Sequence, residues 1–369
     1  MSKIVFVVQH LGQPRCVKRI ISVKDAGFEV MVHGFDQGNY SENIKLLAEN
    51  DIPVSTSITS KGLSKIKKIL DYIKLVVSVS RKIEKEDTIY AFGFEMATSV
   101  RCFTRKRYIY ECADVVAARE HNRIMKRMDE KNIHKSCFTV FTSEGFADFF
   151  WGEKRFLDEI RSRYILLPNR LSPYFFKKNR PVPQNLKTTK LRFGFVGLFR
   201  FMEIYMTFCE VLGNEYPNYE FHFWGDSNGD DKEKVIDLTQ RFQNIFYHGS
   251  FVNPNDLERV YDSFDVCVTC YNTASGNVMI AEPNKLYESI YFCKPIIVSK
   301  GTFLGKKVEN LNVGKAIYPT KEGISDFLAT ISTEELNKMA DNERKIGLDE
   351  LIDNSAELNE RIATIIKTR

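Results

Sequence analysis

The residues best suited to chemistry fall in one stretch, Glu282-Pro283-Asn284-Lys285-Leu286-Tyr287-Glu288. An apolar run comes after it and ends in Lys294-Pro295 and a strand-like Ile-Ile-Val-Ser. A Pro-Asn pair ahead of such a run predicts a helix start. Asn284 would cap it, leaving backbone N–H groups turned toward a ligand. That end of a helix favours an anion such as a diphosphate. Lys285, in the first turn, adds a point charge for phosphate. Glu288 lies about one turn further on roughly the same face, where a carboxylate accepts both hydroxyls of a ribose.

Two other stretches carry weaker signals. In Phe193-Gly194-Phe195-Val196-Gly197-Leu198-Phe199-Arg200, Gly197 ends a buried run, where a small residue lets the backbone approach phosphate. Arg200 offers a fork to a pyrophosphate, or is a surface arginine. In Gln9-His10-Leu11-Gly12-Gln13-Pro14-Arg15, Gly12 permits close approach and the helix beginning at Arg15 offers N–H groups. His10 is a titratable candidate there, with a structural histidine as the competing reading. The loop is not G-x-G-x-x-G, so a nicotinamide site is not expected. There is no Ser-His-Asp set, no Asp-x-Asp and no His/Cys cluster. Neither a metal nor a cofactor is therefore expected.

These stretches need elements to position them. Short apolar runs alternate with amphipathic ones, the mark of parallel sheets covered on both faces. Strands are predicted at Lys3–Val8, Glu29–His33, Thr88–Ala91, Arg107–Glu111, Cys137–Thr142 and Tyr164–Leu167. After a Pro- and Lys-bearing break they resume at Leu191–Val196, Glu220–Gly225, Ile245–His248, Asp265–Thr269, Pro295–Ser299 and Gly314–Ile317. The resulting expectation is a first domain at 1–170, a linker at 171–190 and a second domain at 191–345. A C-terminal helix at 346–369 would pack back on the first. Both domains read as doubly wound and Rossmann-like, facing across a cleft, with ligands at the carboxyl ends of the strands.

Composition narrows the class. A chain of 369 residues with 43% hydrophobic and 27% charged residues suits two globular domains. The net charge of +5 is too small and dispersed to predict nucleic-acid binding. No run reaches about 18 apolar residues, and the N-terminus reads as a strand rather than a leader. The 8 cysteines are scattered, and Cys267 and Cys270 lie in an apolar run, which predicts core packing in a reducing, cytoplasmic compartment. The basic stretch Leu63–Lys85 has two readings, a surface resting on anionic lipid or a core-facing helix with a solvated basic side.

The Pro-Asn-Lys-Leu-Tyr-Glu string with its Lys-Pro strand entry resembles the donor motif of retaining GT-B glycosyltransferases, those of family 4 and of capsular and exopolysaccharide synthesis. The resemblance implies a GT-B architecture. It places Glu288 on the donor ribose and Lys285 near the diphosphate, with the cap Asn284 as a further donor-binding candidate. The family's Glu-x7-Glu spacing is broken here, because Ile280 stands eight residues before Glu288. The missing role falls to the polar stretch holding Gly276 and Asn277. The family's Val-Gly-Arg-Leu string is also altered, with Leu198 in the arginine slot, so Arg200 is taken as the diphosphate residue and Gly197 as its neighbour. By the same resemblance Gly12 meets the donor phosphate or the acceptor. Glu111 and Asp114 are the acidic residues expected beside the reacting sugar, with His10 as a third catalytic candidate and His121 a weaker one. The resemblance implies a bacterial transferase that moves a sugar from a nucleotide-diphosphate sugar to a saccharide or lipid-linked acceptor, with retention. It would be cytoplasmic, with a peripheral contact to anionic membrane. A nucleotide-sugar epimerase and an inactive GT-B-like binding protein are the alternatives.

Overall fold

The computed structural model describes residues 2–11, 13–36, 41–58, 64–173, 180–183, 185–187, 190–227 and 229–367. The chain divides into two compact units. One comprises Met1–Asn169 with Asn354–Arg369, the other Arg170–Asp353.

The first unit holds a sheet of seven strands: β1 (Lys3–Val8), β2 (Glu29–Asp36), β3 (Val54–Ile58), β4 (Thr88–Phe92), β5 (Tyr108–Cys112), β6 (Thr139–Phe141) and β7 (Tyr164–Leu166). Their spatial order is β3-β2-β1-β4-β5-β6-β7, and every pairing is parallel. Strand order reverses between β1 and β4, so their carboxyl ends flank the crevice where such sheets take ligands. β1 forms because Ile4–Val8 is an unbroken β-branched and aromatic run, and all five residues are fully buried. β3 is a strand that the apolar pattern does not predict. Its Val-Ser-Thr-Ser-Ile sequence is polar because the strand sits at the sheet edge, where burial is partial. The Ala356–Lys367 helix completes this unit. It buries Leu358 and Ile362, and Arg361 Nη1 donates to the Ser162 carbonyl at 2.6 Å.

The second unit holds β8 (Arg192–Val196), β9 (Glu220–Trp224), β10 (Ile245–Tyr247), β11 (Val266–Thr269), β12 (Ile296–Ser299) and β13 (Gly314–Ile317). Their order is β10-β9-β8-β11-β12-β13, again all parallel, with the switch between β8 and β11. One face carries an aromatic core of Phe193, Phe195, Phe208, Phe221 and Phe223. The other face is covered by the Leu257–Asp262 and Lys285–Phe292 helices. Cys267 lies on β11 and Cys270 just beyond it, both fully buried. Burial pushes the Cys267 thiol up to about 12 and that of Cys270 higher still, so both pack as thiols. Arg180, in the stretch read as a linker, is buried. Its guanidinium donates to the Ile290, Tyr291, Glu343, Arg344 and Ile346 carbonyls at 2.5–3.2 Å, which stops the Lys285–Phe292 and Thr333–Lys345 helices at their C-termini.

Candidate active site

In the second unit, three glycines close three adjacent strands. Gly197, Gly225 and Gly249 come after β8, β9 and β10, with φ of 122°, 144° and 84°. Their backbones are laced together. Gly197 N donates to the Trp224 carbonyl and Gly225 N to that of Gly249, each at 2.8 Å. A Cβ on Gly225 would fall 1.8 Å from the Gly197 oxygen, so only glycine allows this approach. A Cβ on Gly197 would meet Lys285 Nζ at 2.8 Å. The Lys285 ammonium therefore lies directly over the end of β8, beside the switch point.

Lys285 is half-buried. Burial pulls its pKa down, but Tyr271 and Glu288 together outweigh that and hold it above the ordinary value. It remains an ammonium, suited to a phosphate. Glu288, one turn on, is 3% exposed. Its Oε2 accepts from the Tyr261 hydroxyl at 2.9 Å, and its Oε1 accepts from Asn284 Nδ2 at 2.5 Å and from Asn253 Nδ2 at 3.4 Å. The side-chain cap predicted for Asn284 does not form. Its amide turns to Glu288 instead, while its carbonyl accepts from the Tyr287 and Glu288 N–H groups. Glu282 is bound by Lys307 Nζ at 2.9 Å to both oxygens and by the Tyr287 hydroxyl, which secures the loop before the helix.

The other donor-side candidates are less well defined. Gly276 and Asn277 open a short helix, Gly276–Ile280, and are half-buried. The Tyr271 N–H ahead of it donates to Ser299 Oγ at 2.8 Å. Arg200 and Leu198 are exposed after β8. His248 stacks on Trp224 at 4.4 Å, and its Nε2 shares a hydrogen bond of 2.9 Å with His222 Nδ1. That is a structural arrangement for both imidazoles. Tyr261 and Asn253 escape a reading of the sequence. They reach Glu288 from 27 and 35 residues away, and nothing local marks them.

In the first unit, the ends of β1, β4 and β5 gather a second group. Arg15 Nη2 donates to Asp114 Oδ2 at 3.4 Å, with both side chains partly exposed. Gln9 Nε2 donates to Glu95 Oε2 at 2.6 Å. His10 has a buried Nδ1 with no partner among the described residues. Burial, then Arg15 and Lys68, pull its pKa down, so it is a neutral imidazole near pH 7. Gly12 lies outside the described residues, and His121 is exposed with φ of 47°. Glu111 is placed differently from Asp114. It is 1% exposed, accepts from Arg19 Nε at 3.2 Å and takes the Tyr90 hydroxyl. It is an interior ion pair rather than a group presented to a sugar, because β5 turns it inward while Asp114 lies beyond the strand. Among the described residues no group of three or more His, Cys, Asp or Glu side chains could hold a metal ion.

No family model and no curated protein matches the sequence. Solved structures do resemble it. HepE of Anabaena, in complex with UDP and glucose, is 16% identical over 100% of both chains with a TM-score of 0.67. Sucrose-phosphate synthase of Thermosynechococcus elongatus is 13% identical over 99% of this chain and 98% of that one, with a TM-score of 0.69. A Listeria monocytogenes protein described as a UDP-N-acetylglucosamine 2-epimerase is 13% identical over 92% and 91%, with a TM-score of 0.61. At these identities the likeness is one of fold, and the fold is that of GT-B glycosyltransferases.

Proposed function

We propose that the chain is a glycosyltransferase that takes a sugar from a nucleoside-diphosphate sugar and adds it to a saccharide or a lipid-linked saccharide. The observation that carries this reading is the Lys285 ammonium lying over Gly197, with the Glu288 carboxylate one turn on. The ammonium meets the diphosphate and the carboxylate meets the ribose. Complexes of HepE with UDP and UDP-glucose support UDP as the first donor nucleotide to try.

Transfer proceeds with retention and without a metal. The acceptor oxygen bonds to the anomeric carbon as the bond to the diphosphate breaks, and the leaving phosphate oxygen takes the acceptor proton. The protein then contributes position and charge. Asp114, Arg15 and neutral His10 orient the acceptor. The product belongs to a bacterial surface polysaccharide such as a capsule.

The enzyme is cytoplasmic and rests on the membrane through the Lys65–Lys82 helix. Among the described residues no helix is long and apolar enough to cross a membrane. This helix buries Tyr72, Val76 and Val79, yet leaves Ile66 at 72% and Leu70 at 49% exposure, with exposed Lys67, Lys74 and Arg81 alongside. An apolar stripe flanked by lysines fits an anionic lipid surface. Co-sedimentation with phosphatidylglycerol vesicles, reduced by Ile66→Asp with Leu70→Asp, is the expected outcome. Equal sedimentation of the double variant would remove this contact from the reading.

Thermal stabilisation by UDP, GDP, ADP, CMP and their common sugars tests the donor site. One nucleoside diphosphate should raise the melting point of the wild type and not that of Glu288→Ala. A folded wild type that responds to none would rule out the transferase. The epimerase alternative predicts turnover of the UDP-sugar with no acceptor present.

A further inference from the structure

Glu288 is a carboxylate whose hydrogen-bonding capacity can be counted. An ionised carboxylate offers about four lone-pair sites, two on each oxygen. Tyr261 holds one site on Oε2 at 2.9 Å, and Asn284 holds one on Oε1 at 2.5 Å. Asn253 reaches Oε1 only at 3.4 Å, beyond the usual range for such a bond. One site on each oxygen is thus firmly taken. Among the described residues one on Oε2 is open and one on Oε1 is loosely covered. A vicinal diol needs that pair.

Tyr261 is built to set this geometry. It is fully buried on the Leu257–Asp262 helix, and its ring stacks on Phe292 at 4.7 Å and 12°. Phe292 is the last residue of the helix whose first turn carries Glu288. The tyrosine therefore grips that helix at both ends, by its hydroxyl and by its ring. Burial and the adjacent carboxylate hold its pKa well above the ordinary value, so it stays a donor. Asn253 belongs to the loop after β10, not to a helix.

We propose that Tyr261 is a positioning residue that orients Glu288 to accept the 2′- and 3′-hydroxyls of a nucleoside diphosphate, and that Asn253 is a placeholder the ribose displaces. This rests on the nucleotide-site reading above. Calorimetric titration with UDP, 2′-deoxy-UDP and 3′-deoxy-UDP tests it on the full chain. In the wild type each missing hydroxyl should cost about tenfold in affinity, the order expected for a hydrogen bond to a charged group. In Tyr261→Phe, UDP should bind about tenfold more weakly and the deoxy penalty should shrink to about twofold. A merely structural loss would weaken all three ligands alike and leave the penalty intact, and that result overturns the positioning role. Asn253→Ala should bind UDP at least as tightly as the wild type with its penalty unchanged. Weakening of this variant by about tenfold or more overturns the placeholder. Asn253 is half-buried in a loop, so its variant still decides the placeholder if Tyr261→Phe does not fold, and a wild type that shows no deoxy penalty overturns the positioning role without any variant. Failure of the wild type itself to bind any nucleoside diphosphate is a separate result. It strikes the nucleotide site first and the inference with it.

Discussion

Glu111 in the first unit and Glu288 in the second are hidden to nearly the same degree, at 1% and 3% exposure. Each takes a tyrosine hydroxyl, from Tyr90 and Tyr261 respectively. Their remaining partners differ. Glu111 faces the guanidinium of Arg19, itself 2% exposed and held by Ser355 Oγ at 3.2 Å. Among the described residues Glu288 takes its further hydrogen bonds from amides, and it feels the Lys285 ammonium over Gly197 through space without an ion-pair contact. A buried charge matched by a buried charge is spent on the fold, and breaking such a pair is costly. A buried carboxylate whose hydrogen bonds come from neutral groups keeps some of its lone pairs for a ligand.

The largest test of this contrast is a pair of isosteric variants. Glu111→Gln should leave the Arg19 charge stranded and cost the first unit about 3–5 kcal/mol. Glu288→Gln should cost the second unit under about 1 kcal/mol, yet weaken UDP at least tenfold. Urea unfolding can follow the units separately, because the two tryptophans, Trp151 and Trp224, fall one in each. Equal losses in both units would end the distinction.

A third buried carboxylate sharpens it. Asp129 is fully buried, accepts from the Tyr110 hydroxyl at 2.7 Å and has no partner for Oδ2 among the described residues. Burial raises its pKa to about 7. The unfolded chain ionises it near 3.8, so folding must retain or recover a proton between those values. Its contribution is therefore most favourable below about pH 4 and is lost as pH rises through about 7. Asp129→Asn should be the more stable protein at pH 8, by roughly 2–4 kcal/mol, with little difference at pH 4. A variant no more stable at pH 8 would show that the aspartate has a cation the structure does not give it.

The smallest effect is expected at the exposed pair. Asp114→Asn should change stability by no more than about 0.5 kcal/mol, since Arg15 and Asp114 pair in solvent. Any large fall in transfer rate in this variant would then report on the reaction and not on folding.

The fold is legible because parallel sheets bury their strands on both faces. Runs such as Lys3–Val8, Thr88–Phe92 and Ile296–Ser299 announce themselves as apolar blocks, and β3 escapes because an edge strand need not be apolar. The string around Lys285 is legible because its residue types and spacing are local. The contrast between Glu111 and Glu288 is not. Both sit in apolar surroundings in the sequence, and what separates them is the long-range choice of Arg19 or of Tyr261 and Asn253 as partner. Asn284 shows the same limit on a smaller scale, since capping and bonding to Glu288 compete for one amide.

The return of the Ala356–Lys367 helix to the first unit bears on the order of synthesis. Residues 1–169 leave the ribosome first, but Ser355, Leu358 and Ile362, which complete their packing and hold Arg19, come only after all of Arg170–Asp353 has been made. At ordinary elongation rates that is a wait of roughly tens of seconds. Through it the Arg19–Glu111 pair lacks one of its neighbours, and the surface that receives Leu358 and Ile362 stays open. A chain released at Asp353 would carry a finished second unit and a first unit still exposed to chaperones and proteases.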